Sequence, residues 1–378
     1  MFRKIGIICV VLSATACANP NRESSKGILI PCEVQNEYGA IGCGTVPLSL
    51  KEDISQKFTE TCPLEFDANP DRTLACLNGK KDNPVEAHRL GNLEFYGKYV
   101  EQDIQSGLNL IQFSANHKYP EAMLWLAKFY DAQKEYNKSF ALIKDAADLG
   151  NPLAMYSLGF RYSKGIGVPA NQELAFKWLN MSKDYVPASY TEMATLFLNN
   201  GDVSKFIEYN KEARSKKYWF ADVELAVLTL GEIEGYESYQ NLNEAEDYAQ
   251  ELIDKNVAVG YFIKSKILSI KAKDEPNKEI CELYRKAFEG GYSSAGINLG
   301  VEYLNGNNCA EDFSKAFSIF NNIYENTNGE VKILAAVNLG TIYLNGLGVK
   351  SDERKARQYL EYAANLGYQP AKDMLNSF

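Results

Sequence analysis

Three stretches of this chain are variants of one pattern, and that self-similarity limits the possible folds more than any other feature. "AMYSLGFRYSKGIGVPANQELAF" (154–176), "AGINLGVEYLNGNNCAEDFSKAF" (295–317) and "AAVNLGTIYLNGLGVKSDERKAR" (335–357) align without a gap. Each starts with Ala, places Leu-Gly at the fifth and sixth positions and Tyr at the ninth, and Ala122, Leu126, Ala127 and Tyr130 repeat that first half. A pattern that recurs at a fixed period marks a tandem array. An array also accounts for a length of 378 residues, more than one ordinary core would hold.

The second half of the pattern begins with an Asp or Asn and continues with a small or apolar residue one turn later. The pairs are Asp103 and Gly107, Asn137 and Ala141, Asn171 and Ala175, Asp202 and Phe206, Asn241 and Ala245, Asn277 and Cys281, Asp312 and Ala316, and Asp352 and Ala356. Their spacing of roughly 35 residues is that of helical solenoids. An Asp or Asn at an N-cap accepts hydrogen bonds from the first free amides of a helix, worth about 1 kcal/mol. The small residue then lets a neighbouring helix come close. Each repeat is therefore expected to be two antiparallel helices, the first carrying Ala-x-x-x-Leu-Gly-x-x-Tyr. Gly165 and Gly167 end the first helix where positive φ is needed, Val168 turns back into the core, Pro169 blocks continuation and Asn171 caps the next helix. A phosphate-binding Gly-x-Gly should follow a β-strand, and this one follows a helix.

These residues resemble the Sel1-like repeat family, a relative of the tetratricopeptide repeat, and the resemblance covers residues 85–378. Repeats starting near Ser189, Ala221 and Gly260 keep the spacing but lose the glycines, and "PAKDMLNSF", with Ala371 and Leu375, opens a further first helix suited to an end cap. The resemblance implies an all-α, right-handed α-solenoid of about eight helix-turn-helix repeats, serving as a scaffold for multiprotein complexes. In relatives the first helices line a concave groove. On that basis the fourth, seventh and eighth places should face outward: Trp125, Lys128, Phe129, Ser157, Phe160, Arg161, Glu192, Glu224, Asn298, Glu302 and Asn338. Trp125, Phe129 and Phe160 side by side would form an apolar patch of the kind that marks partner sites. The alternative is that a neighbouring loop or the N-terminal segment packs over them.

Residues 1–16 have the layout of a secretory signal: Arg3 and Lys4, an apolar run from Ile5 to Leu12, then small residues. The run is too short to span a bilayer. Cys17 follows a small residue, as in a bacterial lipobox, although Ala14 stands where that motif usually has Leu; lipidation of Cys17 is the expectation. The remaining Cys32, Cys43, Cys62, Cys76, Cys281 and Cys309 form an even set, suited to disulfides in an oxidising compartment. Cys281 and Cys309 fall at positions where consecutive repeats stack, so a bridge between them is expected. For the other four the sequential pairing, Cys32 with Cys43 and Cys62 with Cys76, is favoured among three. Residues 17–84 do not fit the repeat and are read as a small disulfide-containing cap on the first repeat, with a dedicated docking module as the alternative. Within them "KEDISQKFTE" reads as a helix and "CPLEFDANPDRTLAC" as a loop and turn.

The formal net charge is −9, which disfavours nucleic acid or anionic lipid headgroups as the main partner. His88 and His117 are the only histidines and neither sits in a catalytic or metal-ligand spacing. No cofactor or metal is expected, and the reading is of a non-enzyme. Together these features predict a lipoprotein facing the periplasm from the outer membrane and held by its lipid anchor alone. Its expected partner is a protein of an envelope-spanning apparatus such as a secretion or polysaccharide export system; a surface-exposed binder of a host protein or glycan is the alternative.

Overall fold

The computed structural model describes residues 28–30, 35–36, 39–40, 44–63, 69–273 and 275–376. The candidate signal, Cys17, Cys32 and Cys43 lie outside them. The chain forms two compact units that meet in sequence at Tyr218 and Trp219.

The first unit holds two short antiparallel ladders, β1 (Ile28–Ile30) with β4 (Gly44–Val46) and β2 (Gln35–Asn36) with β3 (Gly39–Ala40). These are the only strands among the described residues of an otherwise helical protein. Helices α1 (Glu52–Lys57) and α2 (Pro70–Gly79) follow. Four helical hairpins come next: α3 (Pro84–Tyr96) with α4 (Ile104–Asn116), α5 (Pro120–Ala132) with α6 (Tyr136–Asp148), α7 (Pro152–Lys164) with α8 (Gln172–Ser182), and α9 (Ala188–Asn199) with α10 (Val203–Ser215). The second unit adds four more: α11 (Phe220–Leu230) with α12 (Leu242–Asp254), α13 (Val259–Ala272) with α14 (Lys278–Glu289), α15 (Ser293–Asn305) with α16 (Phe313–Asn326), and α17 (Gly329–Asn345) with α18 (Glu353–Asn365). A short α19 (Gln369–Leu375) comes last.

One turn geometry recurs. The N-cap residue of the second helix donates its backbone N–H to the carbonyl of the ninth-position residue of the first: Asp103 to Glu94, Glu135 to Tyr130, Asn171 to Tyr162, Asp202 to Phe197, Asn241 to Thr229, Asp312 to Tyr303 and Asp352 to Tyr343, all at 2.8–2.9 Å. The Asp and Asn side chains then accept from the N–H three residues on, as Asn171 does from Leu174 and Asp352 from Lys355. The hairpin of α13 and α14 differs, since the Asn277 N–H goes to the Asn308 Oδ1 of the following repeat. Four hairpins add a cation–π contact: Lys138, Lys205, Lys315 and Lys355, at the third helical position, lie 5.1, 4.7, 5.3 and 5.0 Å from the ninth-position rings of Tyr130, Phe197, Tyr303 and Tyr343.

The capping scheme read from the sequence is right in every repeat but one. Asn137 lies two residues inside α6 and Ala141 is exposed; the cap is Glu135 and the buried small residue is Ser139. The turn between α5 and α6 lacks the Gly-x-Gly insertion and closes with Lys134 in the left-handed region, which brings the cap forward.

Packing within a hairpin depends on small residues meeting backbone. A Cβ on Gly107 would lie 2.6 Å from both the Gly91 carbonyl and the Phe95 nitrogen. Between repeats, the second glycine of Gly-x-Gly has the same use. Gly167 has φ +69°, and a Cβ there would sit 2.8 Å from the Tyr136 carbonyl at the start of the preceding repeat's second helix. The first, sixth and cap-plus-four positions are buried and mostly small along the array, Glu86 and Phe206 excepted, and the fifth is leucine in most repeats, with Met193 in the fourth.

Residues before the first repeat do more than cap it. α2 starts where a loop is expected, because Asn69 caps it and Pro70 occupies the first helical position. The Cys62–Cys76 disulfide and Leu77 pack with Leu90 of α3. The buried Glu86 carboxylate of α3 accepts from the N–H groups of Thr61 and Cys62 at 2.6 and 3.0 Å and from the Thr61 hydroxyl, and it pairs with Arg89. Burial works against this carboxylate, but those donors outweigh it and hold its pKa below the usual range. Phe58 packs on Tyr119 at the next loop, ring centroids 5.2 Å apart. Farther back, Leu48–Lys51 lies along the α6–α7 loop: the Leu50 N–H donates to the Gly150 carbonyl at 2.8 Å, the Ser49 hydroxyl to Leu149 at 2.6 Å and the Lys51 ammonium to Asp148 at 2.6 Å. Asn151 donates its amide to Leu48 at 2.9 Å. The segment is thus a strap across three repeats, where a cap on the first was expected.

In the second unit Cys281 and Cys309 form the expected disulfide, joining positions 28 residues apart. Two stability tests follow from this packing. Gly107→Ala should destabilise by about 1–3 kcal/mol through overpacking, whereas Gly79→Ala, with no atom within 4 Å of the new methyl, should be neutral or slightly stabilising; urea denaturation of both variants checks this. Replacing Cys281 and Cys309 together by Ser should cost about 3–4 kcal/mol by the loop-closure estimate, read as earlier unfolding of the second unit in pulse proteolysis.

Candidate functional site

The first helices present three kinds of position. The first, fifth and eighth residues fall at i, i+4 and i+7, a single helical stripe, and at the eighth place Arg161, Leu196, Leu228 and Ile342 are buried while Phe129 and Glu302 are half-buried. The expectation that the eighth place opens onto a groove therefore fails for Arg161. Arg161 is 0% exposed, where it pairs with Asp131 of the preceding repeat and donates to the Ser139 hydroxyl at 2.7 Å. Glu302 is half-buried and structural, its two oxygens accepting from the backbone and side-chain amides of Asn308 at 3.0 Å each. Ser157 and Phe160 are also buried, at 9% exposure each. The Phe160 ring packs toward Tyr156, with Lys164 over it.

The remaining expected residues divide in the same way. Lys128 is exposed, and Trp125, Phe129, Glu192, Glu224, Asn298 and Asn338 are half-buried. Asn338 returns its amide to the Leu334 carbonyl of its own helix. These residues are divided between the two units.

One group is brought together. Trp125 and Phe129 stack with their planes 12° apart and centroids at 5.9 Å. Phe95 stands edge-on to both, at 4.9 and 6.1 Å, and Tyr96 lies 6.4 Å from Trp125. Tyr96 is 63% exposed, the most open large apolar side chain among those described. The patch is therefore Phe95, Tyr96, Trp125 and Phe129, without Phe160. Phe95 and Tyr96 are missing from the sequence-based set because they occupy the tenth and eleventh places of their helix. The rule that finds them is spatial: the fourth and eighth places of one repeat meet the tenth and eleventh of the repeat before. Arg161 with Asp131 and Glu192 with Lys164 obey the same rule.

Glu192 differs from the other polar residues here. One carboxylate oxygen is buried without a hydrogen bond, and its nearest cation, Lys164, is 3.8 Å away. Burial pushes its pKa up to about 7, with Lys164 only partly offsetting this. A carboxyl raised in the folded state binds its proton more tightly there, so stability falls as pH rises from the model-peptide value toward 7. Glu192→Gln should remove that slope and stabilise the first unit at pH 8 by on the order of 1 kcal/mol, measured as the difference between unfolding midpoints at pH 5 and pH 8.

No group of three or more potential ligands gathers to hold a metal ion among the described residues, and none of their helices is long and apolar enough to cross a membrane. The model of the Sel1 repeat matches five segments, residues 87–119, 120–151, 152–184, 293–321 and 333–368. Among solved structures, a Sel1 repeat protein from Oxalobacter formigenes is similar with a TM-score of 0.52 and 21% identity, over 85% of this chain and 96% of that one. A protective antigen present in uropathogenic Escherichia coli strains, displaying an SLR fold, is similar with a TM-score of 0.50 and 19% identity, over 82% of this chain and 68% of that one. These likenesses are of fold. No curated protein matches the chain.

Proposed function

We propose that the chain, five segments of which match the Sel1 repeat, is a member of that family and a non-enzymatic adaptor whose aromatic patch on the first unit holds a protein partner. Sel1-repeat proteins are generally protein-interaction scaffolds. The observation that carries the proposal is the patch itself. Aromatic side chains supply large contact area at low entropic cost and dominate interface energetics, and Tyr96 leaves much of that area in solvent.

The proposed setting is the periplasmic side of the outer membrane. Residues 1–16 serve as the signal peptide, Cys17 carries the lipid and residues 17–84 separate the anchor from the repeats. The even set of cysteines and the two disulfides among the described residues suit an oxidising compartment. The partner proposed is a component of an envelope-spanning apparatus, of which type VI and other secretion systems and polysaccharide export machines are examples. Cys17→Ser should move the chain from the membrane to the soluble fraction and abolish incorporation of labelled palmitate.

Cross-linking and capture from intact cells tests the adaptor role. Wild type should enrich one envelope complex, and the triple variant Tyr96→Ala, Trp125→Ala, Phe129→Ala should lose it while keeping its thermal transition. Enrichment of no protein by the wild type removes the proposal. A second reading, a surface-displayed binder of a host protein or glycan, draws on the same exposed aromatic rings, since sugars stack on them. Protease treatment of intact cells separates the two: a periplasm-facing chain survives and a surface chain is lost.

A further inference from the structure

The contact between Leu48–Lys51 and the α6–α7 loop has a counterpart in the second unit that no described residue covers. In the α6–α7 loop Gly150 has φ +89°, its N–H donates to Ala147 at 2.8 Å, and the Asn151 N–H donates to Ala146 at 3.1 Å. In the α18–α19 loop Gly367 has φ +92°, its N–H donates to Ala364 at 3.0 Å, and the Tyr368 N–H donates to Ala363 at 3.1 Å. The carbonyls of Asn365, Leu366 and Gly367 therefore stand where those of Asp148, Leu149 and Gly150 receive the strap.

Their surroundings differ in one respect. A Cβ on Gly150 would meet the Ser49 hydroxyl at 2.7 Å, whereas a Cβ on Gly367 would meet nothing within 4 Å. Leu149 is half-buried in the same apolar cluster as Leu48, while Leu366 is 56% exposed. Among the described residues, none of the three carbonyls of the α18–α19 loop accepts a hydrogen bond. The α14–α15 loop has a similar glycine, Gly291, but Gly290 takes the leucine's place and offers no apolar seat.

We propose that the α18–α19 loop docks an extended segment of a partner protein, with a hydroxyl residue followed two positions later by lysine, as Ser49 and Lys51 are spaced. The backbone N–H between them bonds to Gly367, the hydroxyl donates to Leu366 and the ammonium to Asn365. Charge favours the lysine, because the C-terminal end of α18 bears partial negative charge and Glu361 is exposed one turn before it. The apolar residue ahead of the hydroxyl covers Leu366. Tyr368 replaces Asn151, so the fourth bond of the strap has no equivalent and the docking is weaker and reversible. In the first unit the strap occupies its own loop, which makes a foreign segment the occupant here. This docking point is separate from the aromatic patch and stands if that reading fails.

The test is an amide-shift titration of the labelled full chain with a peptide of sequence Val46–Glu52, Val-Pro-Leu-Ser-Leu-Lys-Glu. Saturable shifts centred on Gly367 and Tyr368 are expected. A peptide with its serine and lysine both changed to alanine should bind at least tenfold more weakly, and Gly367→Val should abolish the shifts. A chain carrying Leu48→Gly, Ser49→Gly, Leu50→Gly and Lys51→Gly serves as the positive control, since it frees the α6–α7 loop and should show a second set of shifts at Gly150. Shifts at Gly150 of that variant with none at Gly367 would overturn the proposal, as would the absence of binding at both loops or equal binding of the alanine peptide. Concentration-dependent broadening at Gly367 without peptide would identify a second copy of the chain as the occupant and also overturn it.

Discussion

Every helical hairpin here is set by a backbone amide at the entry of its second helix. In seven of the eight described hairpins that amide closes onto the carbonyl five to twelve residues back at the ninth place of the first helix. The bond fixes where the second helix starts, and most of its cap side chains then satisfy an amide of the first turn that would otherwise lack a partner. Once the entry point is fixed, the small residue one turn later faces the small residue at the sixth place, and the two helices approach until backbone touches backbone. The eighth hairpin shows that the amide must be satisfied even where the local partner is lost: Asn277 finds Asn308 instead. The disulfide from Cys281 to Cys309 ties together the same two segments.

Between hairpins a second rule operates, and it allows more chemical variety. The fourth and eighth places of one repeat meet the tenth and eleventh of the one before. That junction is aromatic where Phe95 and Tyr96 meet Trp125 and Phe129, a buried ion pair where Asp131 meets Arg161, and a loose pair where Lys164 meets Glu192. A buried ion pair is costly to desolvate and adds little net stability. Its separated partners would be far worse, since either charge alone would be buried without compensation. Of these three junctions the aromatic one leaves the most apolar surface in water, chiefly through Tyr96.

The repeat was legible in the residues because its determinants are local. Asn171, Asp202, Asp312 and Asp352 cap helices through bonds that span three residues, and Gly165 ends α7 through a bond to the Arg161 carbonyl four residues back. Cys281 and Cys309 could be paired because both fall on repeat positions that stack. Arg161 could not be placed so easily. Its type suggests a solvated groove, whereas its burial follows from the helical stripe of its place in the repeat and from a partner thirty residues away. Asn137 misled because residue type was matched where loop length had changed. Phe95 and Tyr96 escaped notice because the significance of the tenth and eleventh places lies wholly in the next repeat.

The strap was the least legible element, and it bears on the order of events when the chain first folds. Ser49 bonds to Leu149 across 100 residues and Asn151 to Leu48 across 103, while the hairpins close over a few dozen. Contacts of such sequence separation form late, since the loop they close must be ordered first. A chain that emerges from its N-terminus therefore holds residues 48–51 unpartnered until the α6–α7 loop has formed. Cys62 is placed earlier, once Cys76 has bonded to it and Glu86 of the first repeat has gathered the amides of Thr61 and Cys62. Completion of the strap is then a late report that three successive repeats have assembled in register.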